Sequence, residues 1–267
     1  ATRAAALDLG GQVVATRVRN RWLLGRWDEA LEIARSAGLN LEHTGMTITL
    51  PYLRAVEAAI LVNRGRADQA RRFIDLESPG MALKPMAAWA RGLVHRALGQ
   101  HQQALADLES GVVLFESGVV IFADLVLSLL AEIQLDLGNP AEAQSVASDL
   151  ADLAASSRHP WSRHLSLRTT ALVNGDADAA VEAIEIADRE GITFGAGRSH
   201  LLLGSMSADG ADSLHRAYEV FERLGADPWQ RTTAGFTRDR GIPVPRSPSR
   251  RDGILTDAEA RIARLVQ

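Results

Sequence analysis

The chain has 267 residues, 46% hydrophobic and 23% charged, with a net charge of −4; these values exclude disordered and collagen-like classes and allow a sizeable core. It has no cysteine, which excludes disulfides, thiolate metal sites and cysteine nucleophiles. No apolar run is long enough to span a bilayer, and the first residues lack the basic–apolar–small order of a secretory signal, so a cytoplasmic protein with no membrane partner is expected.

Apolar residues recur at three- and four-residue spacing almost throughout, as at Ile133 and Leu137 and again at Val146, Leu150 and Leu153, so helices are predicted along the whole chain. One pattern recurs five times, a glycine followed by four residues and an alanine. The copies are Gly25–Ala30, Gly65–Ala70, Gly99–Ala104, Gly138–Ala143 and Gly175–Ala180, with steps of 40, 34, 39 and 37 residues between glycines. Each glycine is predicted to end one helix in a left-handed conformation before a polar turn. Each alanine then lies on the next helix, where its small side chain lets two backbones approach. A sixth, degenerate copy counts back from Ala217, with Gly210 in the alanine slot and Ser205 in the glycine slot. The expected fold is all-α, a superhelical solenoid of antiparallel helix pairs.

After Gly225 the pattern changes. DPWQRTTAGFTRDRG predicts one more helix, with Pro228 in its first turn, and GIPVPRSPSRRDG predicts an extended linker. ILTDAEARIARLVQ restarts a helix, with Thr256 as N-cap, Glu259 completing a capping box, and an apolar face begun by Ala260, Ile262, Ala263 and Val266. A lone helix of that length is marginal in water, so it is expected to belong to a further domain. The start at Ala1 rather than a methionine, running straight into helix-forming sequence, likewise leads us to expect a piece of a longer polypeptide. The predicted organisation is a repeat domain over 1–241, a linker over 242–254 and the start of another domain over 255–267.

None of the seven histidines stands in a metal-binding or catalytic spacing, and no serine nucleophile elbow or phosphate loop occurs, so no metal site, cofactor or enzyme activity is expected within the chain. His159 and His164 in RHPWSRH read as a helix start. Gly195 and Gly197 in ITFGAGRSH read as glycines that loosen a helix N-terminus.

The period and the glycine–alanine spacing resemble tetratricopeptide repeats over roughly residues 12 to 225, with GRWDEALEIA nearest to that family's pattern. Counting that register back into each first helix, the resemblance implies an inner groove that includes Trp22, Tyr52, Trp89, Arg96 and Glu132. Trp89 and Arg96 are seven residues apart and share a helix face. Such a mixed aromatic and charged set suits a small-molecule effector or a protein or peptide partner. Trp27, Trp161 and Trp229 are expected to be structural.

The ending, AYEVFERLGADPWQ followed by an arginine-bearing helix, a Pro/Arg linker and LTDAEARIARLV, is similar to the C-terminal junction of large LuxR-family, MalT-like transcriptional regulators. That resemblance implies that Leu255–Val266 is the first helix of a helix-turn-helix domain, and that an ATP-binding domain of the STAND type lies upstream. DNA would be contacted only through the full-length protein. Residues 228–267 hold eight arginines against four acids, and Arg246, Arg250 and Arg251 form a basic tail suited to phosphate attraction. The function expected is a non-catalytic sensor module of such a regulator, with homo-oligomerisation left open. The alternative is a tetratricopeptide scaffold for a protein or peptide, unrelated to transcription.

Overall fold

The computed structural model describes residues 2–44, 48–78 and 80–244. The Pro/Arg linker from residue 245, with Arg246, Arg250 and Arg251, and the helix predicted over 255–267 lie outside the described residues. Among the described residues the chain is helical without strands, and the helices pair along the sequence. The six hairpins are α1 (Thr2–Leu23) with α2 (Trp27–Thr44), α3 (Leu50–Asn63) with α4 (Ala67–Ala70), α5 (Lys84–Ala97) with α6 (His101–Glu116), α7 (Ala123–Asp136) with α8 (Pro140–Ser157), α9 (Pro160–Asn174) with α10 (Ala177–Glu190), and α11 (Thr193–Met206) with α12 (Ala211–Leu224). A single helix, α13 (Asp227–Asp239), follows with proline in its first turn.

The five repeat glycines behave as their spacing predicts. All have positive φ, from +68° to +80°. At Gly25, Gly65, Gly99 and Gly138 the same pair of backbone bonds closes the helix: the glycine N–H donates three residues back and the next N–H donates five back, as in Gly99 to Arg96 at 2.9 Å and Gln100 to His95 at 2.8 Å. The partner alanines, Ala30, Ala70, Ala104, Ala143 and Ala180, are all fully buried.

Two hairpins depart from the pattern. In the second, α4 is a single turn continued by a 3-10 segment, Arg71–Phe73; Gly80 is extended at φ −106°, ψ 135° before a 3-10 turn, Met81–Leu83, leads into α5, whose first turn holds Pro85. In the sixth, the α11–α12 turn uses no left-handed glycine, and Ser207 is extended at φ −89°, ψ 138°. Gly210 serves close approach instead, since a Cβ there would lie 2.4 Å from the Gly204 carbonyl oxygen. Gly195 and Gly197 do likewise within α11, packing on His164 and on Val220 and Phe221.

The hairpins curl until the last meets the first. The Arg64 Nε donates to the Leu224 carbonyl at 3.1 Å while its guanidinium pairs with Asp28 at 2.6 Å, and Trp229 Nε1 donates to Asn63 Oδ1 at 3.0 Å. Trp27, fully buried, packs on Phe194 with centroids 5.4 Å apart. Even the turn glycines take part, because a Cβ at Gly25 would meet Leu224 at 2.8 Å and one at Gly191 would meet Leu24 at 2.7 Å. The odd-numbered helices thereby face a common centre.

Gly99 and Gly25 share a left-handed φ, but Gly99 has open space where its Cβ would be. Gly99→Ala should therefore cost about 1 kcal/mol of backbone strain in urea unfolding. Gly25→Ala should cost clearly more, because its Cβ also collides with the ring closure.

Candidate functional site

At the centre lies a cavity of about 450 Å³, within the size range of small-ligand sites. Every inner helix contributes to its wall: Trp22 from α1, Asn63 from α3, Trp89 and Arg96 from α5, Ser128 and Glu132 from α7, Trp161, His164 and Arg168 from α9, Phe194 and Arg198 from α11, and Trp229 and Arg231 from α13. Trp22 sits 5.8 Å, centroid to centroid, from both Trp89 and Trp161, so one aromatic surface spans three hairpins.

Glu132 is the polar centre. Its carboxylate is buried and accepts from Arg96, from Arg168 at 2.9 Å and from Arg198 at 3.1 Å. Arg96 also reaches Asp136 at 2.7 Å, and Arg168 donates to Ser128 Oγ at 2.7 Å, which in turn meets Thr169 Oγ1 at 3.0 Å. Burial alone would raise the Glu132 carboxyl; Arg198, Arg96 and Arg168 overcome it and hold it well below the usual carboxylate range. The Arg198 guanidinium is pushed down to about 10, first by burial and next by Arg168, with Glu132 opposing, and it stays charged at neutral pH. Its face lies over Trp229, 4.2 Å from the ring centroid.

His164 adds a neutral polar group to the wall. Its Nδ1 lies 3.0 Å from the Ala183 carbonyl, which can only accept, so Nδ1 carries the proton. Nε2 is then a bare acceptor, buried, without a partner and packed against Gly195. Burial is the largest cause that pushes the His164 imidazole down to about 4.

Four of the five groove residues named from sequence, Trp22, Trp89, Arg96 and Glu132, line this cavity, and Trp89 and Arg96 do project from one face of α5. Tyr52 does not. It lies buried beyond the wall formed by Trp22, Leu125 and Trp161, in a smaller cavity with Arg19, Phe122 and Asp124, and packs against Phe122 at 5.6 Å. Burial raises its phenol pKa.

Trp161 and Trp229, expected to be structural from the prolines beside them, face the cavity instead; Trp27 is core. Counting back from Gly175 as from the other glycines would have found Trp161 and Arg168, at fourteen and seven residues. Arg198 and Trp229 had no such signal, because no left-handed glycine follows α11 and Gly241, which closes α13 at φ +66°, has no alanine five residues on. His159 caps α9, its Nδ1 accepting from the Trp161 N–H at 3.2 Å.

Three stretches of the chain, residues 11–36, 51–75 and 125–149, match the family model described as Tetratricopeptide repeat, in the first, second and fourth hairpins. The chain contains tetratricopeptide repeats. No curated protein and no solved structure matches it. Proteins built from such repeats are in general interaction scaffolds, which agrees with a binding cavity rather than a catalytic one. No described helix is long and apolar enough to cross a membrane.

Glu132→Gln leaves three guanidiniums around a neutral amide and should cost about 3–5 kcal/mol in denaturant titration. The pH dependence should come from His164. Its folded pKa lies below the unfolded value, so the unfolded chain binds the extra proton and stability falls as pH drops from about 6.5 towards 4, by up to about 3 kcal/mol. Burial lowers His200 in the same direction. His164→Gln should flatten that slope in unfolding free energies measured across the range, while the Glu132 contribution holds until the pH falls below the ordinary carboxylate range.

Proposed function

We propose that this chain is the non-catalytic sensor module of a LuxR-type, MalT-like transcriptional regulator, with a small-molecule effector held in the central cavity. The single observation that carries the sensing half is the cavity itself, which draws its wall from every inner helix. A ligand there contacts the first and last hairpins at once, so it prefers the closed ring and shifts the population toward it. The regulator half rests on the similarity of residues 217–266 to the C-terminal junction of that family. Helix α13 closes the ring and directly precedes the segment similar to that family's linker, so ring closure and the placing of a downstream DNA-binding domain would be coupled through one helix. ATP would act in an upstream domain, and DNA would be bound only by the full-length protein.

A peptide partner is the alternative for the same repeats. It is less well served, because the ring contacts through Asn63, Arg64, Leu224 and Trp229 close off the long open groove that an extended peptide needs.

Two measurements test the proposal. The reading frame of the parent gene should encode a phosphate-loop ATPase before Ala1 and a complete helix-turn-helix after Gln267; a frame without them sinks the regulator half. A thermal-shift screen against sugars, nucleotides and metabolites should give a ligand that raises the melting temperature by mass action, with the shift lost in Trp89→Ala. An absence of any shift, with a peptide captured instead, would favour the scaffold.

A further inference from the structure

The charges around the cavity do not balance. Arg96, Arg168 and Arg198 face two carboxylates, Glu132 and Asp136, which leaves one positive charge over in the network. Arg231 adds a second at the solvent-exposed rim of the cavity, where it makes no ion pair among the described residues. Glu132 is saturated by its three arginines, so it presents little free negative charge to the interior. Arg198 spends one N–H on Glu132, and its other N–H groups meet no protein acceptor among the described residues. An uncompensated cation in a low-dielectric site is costly unless an anion joins it. Guanidinium groups match planar oxyanions with two parallel bonds.

Around these cations the wall is aromatic. Trp22, Trp89 and Trp161 form one connected surface, while Trp229, beneath Arg198, packs with Phe194 at 5.8 Å on another. Such surfaces favour a flat, largely apolar body. We infer that the effector is a small planar molecule carrying one oxyanion, a carboxylate or a phosphate ester, with the anion on Arg198 and Arg231 and the flat body between the tryptophans. This inference rests on the proposal that the central cavity binds a ligand.

The test uses two fluorescent probes that share an aromatic body, 8-anilinonaphthalene-1-sulfonate and the neutral N-phenyl-1-naphthylamine, titrated into the full chain under tryptophan excitation. Four of the five tryptophans line the cavity, so energy transfer reports occupancy. The sulfonate should bind about tenfold or more tightly than the amine. Arg198→Met and Arg231→Gln should each remove most of that preference, weakening sulfonate binding about tenfold more than amine binding. Arg198→Met leaves Glu132 paired with Arg96 and Arg168, and circular dichroism checks its fold; Arg231 is exposed, so its variant serves even where the first does not fold.

Displacement by indole-3-acetate assigns a carboxylate, and displacement by phenyl phosphate assigns a phosphate ester. Equal displacement by inorganic phosphate would remove the aromatic half of the inference. Equal affinity for the two probes would overturn the anion while leaving a ligand-binding cavity in place; binding of neither would overturn both.

Discussion

A carboxylate removed from water has to be paired, and Glu132 is paired by arginines on three other hairpins. Arg96 comes from the third hairpin, Glu132 from the fourth, Arg168 from the fifth and Arg198 from the sixth. The bonds form only when four inner helices share one height and rotation, because a shift by one helical turn would carry each guanidinium about 5.4 Å away. Hydrophobic packing between neighbouring hairpins tolerates small slips; this network does not. It therefore sets the curvature that brings the last repeat back to the first, and with it the shape of the cavity. A second buried carboxylate, Glu57, has three arginines as well, Arg35, Arg54 and Arg72, but these come from the first two hairpins only, and the cluster lies off the cavity.

The ring is held differently along its seam. Between consecutive hairpins the contacts are extensive and apolar, centred on residues such as Leu61, Leu108, Ile133 and Leu150. Across the closure they are fewer: Arg64 with the Leu224 carbonyl, Asn63 with Trp229, and the aromatic pair Trp27 and Phe194. The closure is thus the place where the superhelix can change with least loss of buried area, and the central cavity is bounded on both sides of it. Sensor function would need this combination: a stiff network that fixes most of the ring and a weak seam that a ligand can bias.

Much of the fold was legible in the sequence because it depends on local rules. A left-handed helix end needs glycine, a close helix crossing needs alanine, and both recur at a period that only stacked hairpins satisfy. The binding face was partly legible for the same reason: Trp22, Trp89, Arg96 and Glu132 keep register with their glycines, whereas Tyr52 sits in the smaller cavity beyond Trp22 and Trp161. The register was silent where the motif degenerates. No left-handed glycine marks the position after α11, and Gly241 after α13 lacks the alanine five residues on that marks a repeat, so Arg198 and Trp229 could not be separated from core residues. A proline beside a tryptophan says where a helix begins and nothing about which way the ring points.

By itself, then, the sequence determined the class of fold, the glycine turns of five hairpins and the four inner-face side chains Trp22, Trp89, Arg96 and Glu132, since each follows from contacts within one helix pair. Only the tertiary structure decided that the solenoid closes on itself, that Glu132 collects arginines from three other hairpins, and that Trp161 and Trp229 turn toward the centre. Those outcomes depend on the summed rotation of six hairpins, and a small angle at each crossing, unreadable in any one repeat, decides whether residues some 160 positions apart, such as Arg64 and Leu224, ever meet.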